Sequence, residues 1–145
     1  MKESCSFDMA ANGQSVSSIP AREHDVTILM VDDNEVFRGV LRDVIGACPG
    51  FRLVGEARSG EEAIRAVDLL SPQLVLMDLA MPGIGGIAAA REIVNRHPDV
   101  AVGLISVDDP LLNPGAVALG NAVICLRKQD LRPRKLRELW DAQHS

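Results

Sequence analysis

Tyrosine is absent from the 145 residues, and three phenylalanines and one tryptophan are the only aromatics, so a core here has to be built from aliphatic side chains. Three cysteines, Cys5, Cys48 and Cys125, are an odd number without C-x-x-C spacing. That argues against a disulfide framework or a cysteine-rich metal module and fits a reducing cytosol. No apolar run approaches the ~20 residues of a membrane span, and the first 25 residues hold no apolar stretch of signal-peptide length. A soluble, cytoplasmic protein without a membrane partner is expected. The net charge of −5 speaks against a general nucleic-acid binder, since phosphate backbones reward a basic surface. No direct nucleic-acid contact is expected. One local exception runs from Arg127 to Arg137, where six basic residues face a single acid, Asp130. A solvated helix face is the preferred reading, with a contact face as the alternative. The length suits one domain that buries roughly two-thirds of its unfolded surface.

Residues 1–24 are rich in Ser, Gly, Asn and Ala without periodicity and read as a flexible tail. From Asp25 onward, short β-branched runs alternate with helical patterns, as in βα units on a parallel sheet. "VTILMV" is apolar enough for a strand covered on both faces. A helix follows, with Asn34 as N-cap and Val36, Phe37, Val40, Leu41, Val44, Ile45 and Cys48 as its apolar stripe; Pro49-Gly50 ends it. "FRLVGEA" is the second strand, and Ser59 caps a helix turning Ala63, Ile64, Val67 and Leu70 inward. "QLVLMD" is the third strand, followed by a Gly-rich loop and a helix from about Gly86 to His97, stopped by Pro98. "VAVGLIS" and "AVICLR" are the fourth and fifth strands, and Asp130 is read as the cap of a last helix ending near Trp140, with Pro133 in its first turn. Between strands four and five, Pro110 and Pro114 forbid a continuous helix, so a loop and a short helix restarting at Asn113-Pro114 are expected. His24, His97 and His144 stand alone and read as surface residues, and the apolar side of the last helix, with Leu136, Leu139 and Trp140, is expected to pack on the sheet rather than on a twin.

The stretch "VLMDLAMPG" ends an apolar strand on one carboxylate, Asp78. The other strand ends carry Asp32 and Asp33 after strand one, Ser106 at strand four and Lys128 at strand five. Ligands of open α/β sheets bind beyond the carboxyl ends of the strands, so these side chains are expected on one rim. Three clustered carboxylates repel one another, and a hard divalent cation such as Mg²⁺ relieves that repulsion, with the carbonyl of Ala80 as a further oxygen donor. A carboxylate so placed can attack a phosphoryl group. Lys128 and Ser106 can then pair with the phosphoryl oxygens.

"VDDNE", "DLAMPGIGG", "LIS" and "RK" together resemble the receiver domain of bacterial two-component response regulators. The resemblance covers about Val26 to Trp140, and D-x-x-M-P-x-x-x-G from Asp78 to Gly86 is its specific part. It implies a flavodoxin-like α/β fold, a three-layer αβα sandwich on a five-stranded parallel sheet of order 2-1-3-4-5, within a domain at residues 25–142 and a C-terminal end at 143–145. It also implies that Asp78 accepts phosphate from a sensor histidine kinase or phosphotransfer protein. Asp33 and Asp78 would bind Mg²⁺ directly, Asp32 through water, and Ala80 through its carbonyl. Ser106 would be the switch hydroxyl and Lys128 the phosphate-pairing cation, with phosphorylation moving the strand-four and strand-five face. The texture is closer to receivers of helix-turn-helix transcription factors than to chemotaxis regulators. Where relatives carry an inward-turning Tyr or Phe, three residues before the lysine, this chain has Cys125, so altered coupling to output is expected; a small core residue is the plainer reading of that cysteine. The chain ends 17 residues after Lys128, so either a single-domain regulator or a fragment of a DNA-binding one is expected.

Three other readings compete. A phosphohydrolase of the haloacid dehalogenase type needs a second Asp two residues after the nucleophile, where Ala80 stands, so only self-phosphorylation and self-dephosphorylation are expected as catalysis. "GIGGIA" satisfies G-x-G-x-x-A, but it does not sit in the tight turn leaving a strand. The third is a receiver-like interaction module that is never phosphorylated. Homodimerisation is left open.

Overall fold

β-Branched and long aliphatic side chains fill the stretch Val26–Val31 (β1), which pairs on both sides and is buried along nearly its whole length. The computed structural model describes residues 25–81 and 83–144. The expected tail, with Cys5 and His24, lies outside them. After β1 come α1 (Glu35–Gly46), β2 (Phe51–Ala57), α2 (Gly60–Leu70), β3 (Leu74–Asp78), α3 (Gly85–Arg96), β4 (Ala101–Ser106), α4 (Pro114–Leu119), β5 (Ile124–Arg127) and α5 (Pro133–His144). The strands form one parallel sheet in the order β2-β1-β3-β4-β5, which is the flavodoxin-like order. The order reverses between β1 and β3, so the crevice of such sheets opens at the carboxyl ends of those two strands.

Alternation along each strand splits the interior into two layers. Ile28, Met30, Leu74, Leu76 and Ile105 meet Leu41 and Ile45 of α1 and Leu136 and Leu139 of α5. On the other face Leu29, Val31, Val75, Met77, Val102 and Leu104 meet Ala63, Val67, Ala89, Ala90, Ile93 and Ala116 from α2, α3 and α4. Helices cover both sides, which gives the three layers.

Several local expectations hold. The Asn34 side chain accepts from the Phe37 N–H, and Ser59 accepts from the Glu62 N–H. A 3-10 turn at Pro110–Leu112 precedes α4, where the Asn113 side chain accepts from the Gly115 and Ala116 N–H groups and Pro114 occupies the first turn. Leu136 and Leu139 are buried on the sheet, and Trp140 lies edge-on to Phe51 with ring centroids 6.4 Å apart.

Others need correction. Val36 is 77% exposed and Val40 is also exposed, because α1 buries a narrower stripe than its apolar residues span. Leu70 is exposed as well, although its Cδ1 atom lies over Gly55, 2.6 Å from where a Cβ would stand. Asp130 does not cap the last helix. It sits exposed in a 3-10 turn at Lys128–Asp130, and α5 starts at Pro133, whose fixed φ suits a first helical position. The helix runs past Trp140 to His144, whose ring stacks on Trp140 at 3.6 Å between centroids.

Candidate functional site

Asp32 follows the last residue of β1 at the point where strand order reverses, and only 1% of its surface is exposed. Its backbone N–H continues the sheet pairing to the Ala57 carbonyl at 3.0 Å, and its Oδ1 accepts from the Asn34 N–H at 2.8 Å. Beneath it, the buried Arg38 guanidinium donates to the Asp32 carbonyl at 2.6 Å, pairs with Glu35 and reaches Glu56 at 3.4 Å. Asp33, in the bend that follows, is exposed. Asp78 is the last residue of β3, 7% exposed, and its Oδ1 accepts from the Ala80 N–H at 3.1 Å. Oxygens from Asp32, Asp33 and Asp78 all lie within 4.8 Å of one another.

Lys128, directly after β5, extends its ammonium into this acidic cluster. Nζ stands 3.0 Å from Asp32 Oδ2 and 3.4 Å from Asp78 Oδ2, and lies 4.2 Å over the centroid of the Phe37 ring. Asp32 Oδ2 is buried, and the Lys128 ammonium at 3.0 Å is the charge that pairs with it. Burial, then the neighbouring charge of Asp32, hold the Asp78 carboxyl above its ordinary range; the Ala80 N–H and Lys128 oppose this without cancelling it. For Lys128, burial pulls the ammonium down, but Asp32 and Asp78 outweigh it and the net direction is up. An all-oxygen donor set on one rim, with a carboxyl that burial and the charge of Asp32 push above its ordinary range, suits a hard cation, and Asp32, Asp33 and Asp78 are the residues that could hold Mg²⁺. Ala80 is exposed on the same rim, two residues beyond Asp78.

Ser106 ends β4 one residue past the Asp78 and Ile105 pairing, which places it on the rim beside Asp78, and its hydroxyl accepts from the Asp108 N–H at 3.2 Å. Cys125 pairs in register with Leu104 and packs half-buried on the core layer shared with α4. Burial pushes its thiol up, away from reactivity, as the plainer reading of this cysteine requires. Gly86 seats the start of α3 against the end of β3: an added Cβ would collide with the Asp78 carbonyl oxygen and stand 2.9 Å from Leu79 Cα. That close approach explains the glycine after "MPGIG".

Two participants escape a reading of the sequence. Phe37 packs against the core as its place in the apolar stripe implies, but its ring also faces Lys128; Arg38, which the sequence reading does not single out, is 3% exposed. The available signal was an arginine set between apolar residues one turn after the acidic pair. Arg132, Arg134, Lys135 and Arg137 are exposed and interleaved with Glu138 and Asp141, as a solvated helix face would be. His97 is not alone: its Nε2 lies 2.6 Å from Asp68, which also takes Arg96 at 2.9 Å. Among the described residues no helix is long and apolar enough to cross a membrane.

Comparison with known proteins gives the same picture. Residues 28–139 match the family model of the response regulator receiver domain. The response regulator GacA of Pseudomonas viridiflava is 39% identical over 97 residues, covering 63% of this chain and 45% of that protein. Response regulator UvrY of Escherichia coli (strain K12) is 38% identical over 88 residues, 59% of this chain and 40% of that one. The chain therefore spans less than half the length of these curated relatives. Among solved structures, the signal receiver domain of the putative response regulator NarL from Mycobacterium tuberculosis superposes with a TM-score of 0.73 at 25% identity, covering 84% of this chain and 98% of that one. A LuxR-family two-component response regulator from Aurantimonas sp. SI85-9A1 gives 0.70 at 28% identity, covering 81% and 84%.

Proposed function

The chain belongs to the response regulator receiver domain family, and from that membership we propose that Asp78 is its phosphoacceptor and that a sensor histidine kinase or phosphotransfer protein is the donor. The observation that carries this reading is the Lys128 ammonium lying within 3.4 Å of both Asp32 and Asp78 while three carboxylates converge within 4.8 Å. In the transfer, an Asp78 carboxylate oxygen forms a bond to phosphorus as the donor's P–N bond breaks, and the departing imidazole takes up a proton. Bound Mg²⁺ would supply neutralisation of the phosphoryl charge. Asp32, Asp33 and Asp78, with the Ala80 carbonyl, would hold it; Asp32 would act largely through water. Lys128 holds its charge at the mouth of the site and pairs with a phosphoryl oxygen once Asp78 carries the acyl phosphate. The Ser106 hydroxyl, released from the Asp108 N–H, turns toward the same group. The Ala80 N–H, already aimed at the Asp78 carboxylate, keeps it oriented.

Self-dephosphorylation is the only turnover this site is proposed to carry out. Cys125, half-buried in place of an inward-turning ring, favours a receiver whose phosphoacceptance is intact and whose coupling to output differs from that of relatives with the aromatic. A module that is never phosphorylated is the second reading, and the same residue is what favours it.

Intact-mass measurement after incubation with Mg²⁺ and acetyl phosphate decides between them. One phosphoryl mass is expected on the wild type and on Asp68→Asn, and none on Asp78→Asn. A wild type without the gain overturns phosphoacceptance and leaves the interaction module.

A further inference from the structure

Lys128 is a flexible four-carbon stem ending in a point charge, and nothing in such a side chain fixes where the charge rests. Its side chain is 16% exposed, close enough to water for the ammonium to swing outward. Two of its contacts are carboxylates, Asp32 at 3.0 Å and Asp78 at a longer 3.4 Å. The third contact is the ring face of Phe37, 4.2 Å from Nζ to centroid, inside the ~6 Å over which a ring quadrupole attracts a cation.

That ring is itself held in place. Phe37 is the third residue of α1, and its N–H donates to Asn34 Oδ1 at 3.0 Å; the Asn34 N–H donates to Asp32 Oδ1 at 2.8 Å. Arg38, the next residue, donates to the Asp32 carbonyl at 2.6 Å. The contacts therefore close on themselves: Asp32 to Asn34, Asn34 to Phe37, Phe37 to Lys128, and Lys128 back to the other oxygen of Asp32.

We propose that Phe37 is a positioning residue of this site, its ring face holding the Lys128 ammonium over Asp32 and Asp78 so that the cation is in place when a phosphoryl group arrives. The proposal rests on the phosphoacceptor reading for its consequence, not for its geometry. An aliphatic residue of similar volume fills the same space between α1 and the sheet but presents no negative face. The ammonium then borders apolar surface on that side, and outward, hydrated rotamers gain population.

Two measurements test this on the full chain. In Mg²⁺-free protein with isotope-labelled lysine, the ε-methylene protons of Lys128 are expected upfield of those of Lys2 and Lys135, because they sit over a ring. Phe37→Leu should abolish the displacement and Phe37→Tyr retain it. Lys128→Met identifies the resonance. With Mg²⁺ and acetyl phosphate, Phe37→Leu should slow phosphorylation by about fivefold, with Phe37→Tyr close to wild type. Lys128 protons without an upfield displacement in the wild type, or a leucine variant as fast as wild type, overturn the proposal. So does a tyrosine variant as slow as leucine, which would make packing volume the cause. If no variant is phosphorylated at all, it is the phosphoacceptor reading that falls, and the proton shifts still decide where the ring holds the lysine.

Discussion

At the scale of single residues, the site stores electrostatic tension in Asp78. Burial and the charge of Asp32 raise its carboxyl, so the folded protein binds that proton more tightly than the unfolded chain does. Stability is then lost as pH rises from the unfolded value, about 3.9, through the raised folded one. Asparagine has the same shape and no charge to desolvate. Asp78→Asn is therefore expected to melt higher than wild type at pH 7 in the absence of Mg²⁺, with the difference narrowing as pH falls toward 4. Circular-dichroism melts at the two pH values check this, and equal Tm values at pH 7 would contradict it. Asp78, Asp32, Asp33, Ser106 and Lys128 were all legible because a polar residue closing an apolar strand has one place to go, the rim beyond the strand end. Phe37 and Arg38 were not. Their helix-face pattern is that of ordinary amphipathic residues, and their partners Lys128 and Glu56 come from other parts of the chain.

At the scale of elements, the tight joint is between the end of β3 and the start of α3. Gly86 is buried there, and a methyl group would meet the Asp78 carbonyl and Leu79 Cα. Gly86→Ala must part strand from helix, and a loss of about 2–3 kcal/mol in urea denaturation is expected, as for overpacked sites. Gly46 closes α1 with nothing within 4 Å of an added Cβ, so Gly46→Ala should gain about 0.5–1 kcal/mol through helix propensity and chain entropy. Equal effects from the two substitutions would refute the tight joint. The interrupted segment before β5 was legible, since each proline removes an N–H that a helix needs and Asn113 supplies a cap at the restart. The start of α5 was not: Asp130 has the composition of a cap, but the 3-10 turn after β5 uses up that residue, and Pro133 opens the helix instead.

At the scale of the molecule, two apolar layers share one sheet. Leu76 belongs to the layer under α1 and α5, and Leu104 to the layer under α2, α3 and α4. Because β3 and β4 pair along their length, neither layer can come apart without the strands that support the other. Leu76→Ala and Leu104→Ala should each cost about 2–5 kcal/mol and shift a single transition. Trp140 fluorescence, which reports the α5 side, and far-ultraviolet circular dichroism should keep a common midpoint in both variants; separated midpoints would show independent layers. The alternation of strands and helices and the parallel pairing were determined by the sequence alone, because hydrophobic periodicity is a local property of the chain. So was the placing of the five rim residues along one edge of the sheet, because the topology of a parallel sheet sends every strand's carboxyl end to the same side. Only tertiary packing decided which apolar residues of α1 stay in water, that a buried arginine supports Asp32, and that a phenylalanine faces the lysine. Each of those depends on which surfaces are left over once α1 has settled against β1 and β2, and no periodicity within one segment carries that information.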